Sequence, residues 1–404
     1  MTGDAVDATA VLSRTGDAGG ERHDPWVPWT VTDASPDEVI HPRDLQAAID
    51  RAVVTGVRRH IRLTRGEGEG PVIVPRAAPP LTITAPDGAR LSAAIDAQMP
   101  GAEYRRRFAG RFDGSPPPVR AVVDAICARD IITTHNSGVV RIEADDTTLR
   151  GLTVENTYAC DRAAAAPEGA VPDARGRFAQ GQHQAVALHV AGADRVHLEG
   201  LVLLSFQDTL YLQHPRPFST ARTYLTGCEI AGDVDFIFGQ ATAVFDRCRI
   251  TSRGERGAST WVAAPATNIA TPFGFVFDRC TFDDDGHIAA GGALLGRQWF
   301  EGVRTSPYRG DLDCRMADVS GQGTISCATL ESVGKCRVQN SVLGAHLAGD
   351  PWGPWTGPDS ARHRPVQRNR AEMAGLLGAW LAREGVTLPE SAGPWLGVAD
   401  CIRD

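Results

Sequence analysis

The chain has 404 residues, a formal net charge of −8, a sequence pI near 5.8 and 42% hydrophobic residues. This composition supports a sizeable core and lacks the cationic surface that a phosphate backbone requires, which argues against nucleic acid as a partner. No run reaches the roughly 18 apolar residues of a membrane-spanning helix, and the nine cysteines form no CxxC pair and no zinc-type spacing. No metal or cofactor is expected.

Residues 1–35 are polar and rich in Gly, Asp and Ala. They read as a disordered lead with no apolar core of signal-peptide type. Pro42 to Val53 carries apolar residues at helical spacing and predicts a short capping helix. Arg58 to Ile83 alternates apolar and polar residues and predicts short strands. Residues at about 86–130, with Tyr104-Arg105-Arg106-Arg107-Phe108 and Ser115-Pro116-Pro117-Pro118, predict an insertion with loops. Cys127 and Cys160 flank the first strand-rich coil and are candidates for a disulfide.

From Leu149 a six-residue pattern recurs: apolar, any, small or polar, then Leu/Cys/Ser, any, apolar. The copies start at Leu149, Leu198, Leu225, Phe245, Phe277 and Val338, at spacings of 49, 27, 20, 32 and 61 residues. Coils in the twenties, multiples of them and loop insertions predict a parallel β-helix, all-β and right-handed. The fourth slot then forms an internal column of Leu152, Leu201, Cys228, Cys248, Cys280 and Ser341. Small thiols suit such a column without any catalytic role. Near the end, Met373, Leu376, Leu377, Trp380 and Leu381 share one helical face and predict a covering helix at about 371–383. Residues 36–404 are read as one β-helix domain.

Two copies lead into unusual segments, Ser205-Phe206-Gln207-Asp208-Thr209-Leu210-Tyr211 and Gly232-Asp233-Val234-Asp235-Phe236-Ile237-Phe238-Gly239. Asp208 and Asp235 each lie ten residues after the start of their copy. Coils in register would set them on adjacent rungs, with backbones ~4.8 Å apart. Two close carboxylates among apolar residues cannot both ionise easily, so one pKa must rise. The pair then supplies one charged group and one proton donor at neutral pH. Asp233, Asp246 and Asp278 read as turn or ladder residues, and His183 as a loop residue.

These segments resemble the pectin methylesterase (pectinesterase) family, in its bacterial branch. The resemblance rests on Gln184-Ala185-Val186-Ala187-Leu188, Gln207-Asp208-Thr209-Leu210-Tyr211, Asp235-Phe236-Ile237-Phe238-Gly239 and Leu295-Gly296-Arg297-Gln298-Trp299, in that order, with Ala264-Pro265-Ala266-Thr267-Asn268 similar to the bacterial branch. It runs from about residue 42 to the C-terminus. Leu91 to Phe108 is similar to envelope-associated relatives.

The resemblance implies a carbohydrate esterase that demethylates methyl-esterified polygalacturonate without cofactor or metal. It implies Asp235 as nucleophile and Asp208 as acid and then base. It further implies Gln207 and Gln184 as polar groups at the oxyanion, and Arg297 as the guanidinium that orients the nucleophile. Trp299 would face sugar, with Phe238 and Val234 lining the groove. A monomer that acts outside the cytoplasm, secreted or in the cell envelope, is expected from that function. The sequence departs from the family at Gln298, where proline is usual, at Phe300-Glu301-Gly302, and in the Ala-rich loop Asp161 to Arg175. These departures bear on substrate preference. Other readings on the same scaffold are a polysaccharide lyase or hydrolase, an esterase or thioesterase with a non-pectin substrate, and a non-catalytic carbohydrate-binding protein.

Overall fold

The computed structural model describes residues 6–13, 25–28, 35–215, 219, 221–267, 271–299, 315–318, 324–326, 333–354, 366–372 and 395–404. Parallel strands wind into a right-handed β-helix with three faces. The first face carries Glu38–Ile40, Arg59–Leu63, Val196–Glu199, Arg222–Thr226, Thr242–Asp246, Phe275–Asp278, Cys336–Gln339 and Leu396–Ala399. Gly66–Glu69, Val202–Leu204, Glu229–Gly232, Arg249–Ser252, Thr281–Asp284, Val342–Leu343 and Ile402–Arg403 form the second. Leu81–Ala93 and Thr148–Asn156 run round the corner and join both faces into one 17-stranded sheet. The third face is a separate eight-stranded sheet: Val72–Val74, Val140–Ile142, Leu188–Ala191, Leu210–Gln213, Val234–Gly239, Thr260–Pro265, Ala293–Arg297 and Trp352–Gly353.

All six copies of the repeat stack in the expected register. Leu149 pairs with Leu198, Leu198 with Leu225, Leu225 with Phe245, Phe245 with Phe277, and Phe277 with Val338. The third slot is the turn between the first and second faces. It has left-handed backbone in every copy, at Gly151, Gly200, Gly227, Arg247, Arg279 and Asn340. Glycine and asparagine reach that region at low cost, which explains why the slot is small or polar. The first-slot residues are at most 1% exposed. Phe245 and Phe277 stack with ring centres 4.2 Å apart. Each such buried Leu or Phe contributes about 1.5–3 kcal/mol.

The thiol column is also present. Cys228 Sγ donates to Leu198 O at 3.5 Å, Cys248 Sγ to Leu225 O at 3.7 Å, and Cys280 Sγ to Phe245 O at 3.3 Å. Val398 begins a seventh copy, in register with Val338, and adds Cys401 to the column. Its sixth slot is Arg403 in place of an apolar residue, which hid it from the pattern. Cys127 and Cys160 are both free thiols, so the disulfide considered between them is absent.

The ends and insertions differ more from expectation. The capping helix is Leu45–Thr55, and Leu45, Ala48, Ile49 and Ala52 bury against the first turn of the solenoid. The expected insertion begins as strand to Ala93 and, between its loops, carries helices Gly101–Phe108 and Pro117–Cys127 that the sequence reading did not foresee. Tyr104, Phe108, Val119, Val123 and Ile126 recur every three or four residues and sink into the main core, which secures both helices. The described part of the N-terminal lead is ordered. Ala8–Ser13 is helical, and Val11 and Leu12 pack on Tyr224, Val244 and Val276, an outward column of the first face. Arg222 Nη1 donates to Leu12 O at 2.9 Å, and Gln339 bonds both backbone groups of Val6. Two apolar residues on a ready-made apolar column suffice to dock a segment whose composition reads as disordered. The C-terminal helix expected at about 371–383 lies outside the described residues apart from its first two. No helix among the described residues is long and apolar enough to cross a membrane.

Candidate active site

The third face bears the site on its outer side. Leu210 pairs with Ile237, so Asp208 and Asp235, each two residues earlier, occupy equivalent places on successive coils. Both have left-handed backbone, with φ of 68° and 50°. Aspartate tolerates this conformation better than most residues, yet it is uncommon away from glycine and marks a site where the surroundings dictate the geometry. At Asp235 the cause is visible: the pairing with Thr260–Pro265 slips between Val234 and Ile237, a bulge that re-aims the side chain. Gly239 closes the segment at φ 125°, and a Cβ there would lie 2.1 Å from Leu212 O.

Arg297, from the strand Ala293–Arg297 two rungs beyond Asp235, meets that carboxylate as a fork. Its Nε donates to Oδ1 at 2.8 Å and its Nη2 to Oδ2 at 2.6 Å, with both residues buried. Its guanidinium carbon stands 4.0 Å from the ring centre of Trp261, which lies against its face. The forked bond fixes both carboxylate oxygens, and the aromatic face holds the cation without competing for its donors.

Asp208 is 7% exposed. Burial pushes its carboxyl well above the usual carboxylate range; the charge of Asp235 adds to this, Arg297 opposes it and Asp233 adds again. The two aspartates therefore have different surroundings, one clamped by a guanidinium and one desolvated beside a carboxylate. Such a pair can present an anion and a proton to the same bound group.

Gln207 precedes Asp208 and bridges to Gln184 on the coil below. Its side-chain oxygen accepts from His183 N at 3.1 Å, which turns the amide NH2 the other way. Gln184 is half-buried, and its side-chain oxygen is buried with no hydrogen-bond partner among the described residues. Phe238 stacks on Tyr211 with centres 4.3 Å apart, and Trp299 stands edge-on to Phe238 at 5.7 Å. Val234 is half-buried at the start of the same strand. All eight residues singled out from the sequence thus fall on one side of the third face or on the turns entering it.

His183 and Asp233 lie in a loop and at a turn as expected, with side-chain roles the sequence did not show. His183 is fully buried, clamped between Tyr158 and Phe178, and its Nδ1 meets Tyr158 Oη at 2.9 Å. Burial and nearby Arg256 hold its pKa low, so it is a neutral prop behind Gln207. Asp233 stands at the expected turn, the bend between Glu229–Gly232 and Val234–Gly239, but its side chain is buried in an ion pair: Arg256 Nε and Nη2 bind its two oxygens at 2.5 and 3.0 Å, and neither side chain is more than 1% exposed. Asp246 and Asp278 are the expected ladder residues, taking Tyr224 and Arg279, and Asn340, respectively. Sequence reading missed Trp261 and Arg256. It also left Gln298 unexplained. Gln298 Nε2 donates to Gly334 O and Gln367 O at 3.0 and 2.9 Å, bonds that the usual proline cannot make.

The pectinesterase family model matches residues 176–321, which contain the pair and Arg297. Pectinesterase B of Dickeya dadantii is 34% identical over 285 residues, covering 65% of this chain and 61% of the relative. A pectinesterase of Ralstonia solanacearum is 30% identical over 325 residues, covering 78% of this chain and 70% of its own length. The chain belongs to the pectinesterase family. The structure of a rice weevil pectin methyl esterase superposes with a TM-score of 0.70 at 20% identity, over 94% of this chain and 92% of that one, a likeness of fold. The chain therefore spans about three fifths of the Dickeya pectinesterase and somewhat more of the Ralstonia one.

Proposed function

We propose that this pectinesterase-family chain hydrolyses methyl esters of polygalacturonate, releasing methanol and leaving pectate, with residues 36–404 as one esterase domain. The observation that carries the reading is the division of labour in the aspartate pair: Asp235 forked by Arg297, Asp208 desolvated beside it.

In this reading the free lone pair of Asp235 attacks the ester carbonyl carbon. Negative charge develops on the former carbonyl oxygen, toward which the amide NH2 of Gln207 is directed, with Gln184 beside it. The C–OCH3 bond breaks and the departing oxygen takes the proton of Asp208, leaving methanol and an acyl anhydride on Asp235. Asp208, now a carboxylate, draws a proton from water; the hydroxide attacks the acyl carbon, the anhydride bond breaks to restore both aspartates, and the galacturonic acid group departs and gives its proton to solvent as the carboxylate. Carboxylates are weak nucleophiles in water, so a fixed and partly buried one is required. Trp299, Phe238 and Val234 form the wall on which sugar rings would lie. The enzyme would work as a monomer outside the cytoplasm, secreted or in the cell envelope, where methylated homogalacturonan is met.

The test is methanol release from highly methylated pectin, with an acyl thioester assayed in parallel and a calcium chelator present in a duplicate. The reading expects methanol at an unchanged rate with chelator and little thiol. Thiol release without methanol would transfer the same chemistry to a non-pectin substrate, and loss of activity with chelator would favour a lyase.

A further inference from the structure

The buried pair Asp233–Arg256 lies behind both reactive turns and is bonded to each. Asp233 N donates to Phe206 O at 2.9 Å, Trp261 N donates to Asp233 O at 2.9 Å, and Val234 N donates to Asp233 Oδ1 at 2.6 Å. Val234 O in turn accepts from Asp208 N at 3.1 Å. The backbone of Asp233 thus joins the turn of Asp208 to the strand of Trp261, while its buried carboxylate holds Val234 N, at the start of the strand of Asp235, and Arg256. Arg256 extends the connection outward. Its Nη1 donates to Phe178 O and Ala179 O at 2.6 and 3.3 Å, at the end of the Ala-rich loop, and its guanidinium stands 5.6 Å from the ring centre of Phe206.

We propose that Asp233 and Arg256 are a positioning pair for the ester chemistry: Arg256 pairs with a third carboxylate beside the two reactive ones and locks the loop before Gln184 to the strand of Asp235. The proposal rests on the reading of Asp208 as acid and Asp235 as nucleophile. A buried charge is retained where it is paired and where removing one partner leaves the other uncompensated. The charged neighbours of Asp208 are Asp235 on the next coil, Arg297 beyond it and Asp233. Around Asp233 and Arg256 stand His183 and Cys160, with Arg253 further along the same loop. Even paired with Arg256, Asp233 helps to hold the carboxyl of Asp208 up. Without Asp233, Arg256 is a bare cation near Asp208 and favours its ionised, inactive form as an acid.

The experiment compares the pH dependence of kcat/KM for methanol release in wild type, Asp233→Asn and the double variant Asp233→Asn/Arg256→Gln, with Asp235→Ala as control. The high-pH limb, where Asp208 loses its proton, should move down by about one pH unit in Asp233→Asn and by less in the double variant, which loses the push of Asp233 without leaving a bare cation. The double variant carries no unpaired buried charge and should still show at least a roughly tenfold lower kcat with KM little changed, because the fork between Asp233 and Arg256 and the bonds of Arg256 to Phe178 O and Ala179 O, which hold the segment before Gln184, are gone. Should Asp233→Asn fail to fold, the kcat and KM of the double variant decide. A high-pH limb unmoved in Asp233→Asn, or a double variant with wild-type kcat, overturns the positioning role. Activity persisting in Asp235→Ala would instead sink the underlying reading.

Discussion

Arg297 grips both oxygens of Asp235, at 2.8 and 2.6 Å, from a strand two rungs further along the solenoid. The solenoid makes this possible: each rung is fixed by its neighbours, so a side chain 62 positions away arrives in register. Replacing Arg297 by Lys should lower kcat about 10- to 100-fold, since a lysine offers a point charge where a planar fork is needed. KM for methylated pectin should change much less. A steady-state comparison of the two parameters tests this, and a pure KM effect would place Arg297 in substrate binding.

Asp208 is uncharged in the folded protein over a wider pH range than in the unfolded chain, because burial raises its carboxyl well above the usual carboxylate range. A carboxylate with a raised folded pKa contributes stability that is fully present below the unfolded pKa and is lost as pH rises through the folded pKa. Asp208→Asn should therefore reduce methanol release by on the order of a thousandfold and yet raise the melting temperature at neutral and alkaline pH. The gain should shrink toward zero in acid. Melting curves across pH check the sign, and a variant less stable at alkaline pH would contradict the environment assigned to Asp208.

Trp299 stands edge-on to Phe238 at the rim of the aromatic cluster with Tyr211. Truncation to Ala should weaken binding of methylated oligogalacturonate by about 1–2 kcal/mol, roughly a five- to thirtyfold rise in KM. Thermal stability should fall by little, because Trp299 is only partly buried. A large loss of stability with unchanged KM would make it a core residue.

The repeat was legible because each slot has a physical demand that a short pattern can express. Gly151, Gly200 and Gly227 serve left-handed turns, and the slot after each faces a narrow interior column. Where the demand was met by other means the pattern failed. Between Ile83 and Leu91 the residues Pro86, Asp87 and Gly88 lengthen the corner and shift the register, so no copy was seen there. The helices at Gly101–Phe108 and Pro117–Cys127 were hidden by prolines that turned out to start the second helix.

At the candidate site, the two aspartates declared themselves through equal offsets, and the flanking motifs drew in Gln207, Gln184, Arg297, Trp299, Phe238 and Val234. Arg256 gave no local signal. It is 23 residues from Asp233, in a loop of ordinary charged composition, and only the third dimension makes it a buried partner. Trp261 was likewise unreadable, since its ring is defined by the guanidinium it faces.

The central claim is that Asp235 forms the bond to the substrate acyl carbon. The direct measurement is methanol release from highly methylated pectin by Asp235→Ala, with circular dichroism confirming the β-helix. The account predicts no methanol above background from a folded variant, while wild type releases it steadily. Methanol release at a rate near wild type from folded Asp235→Ala would contradict the account.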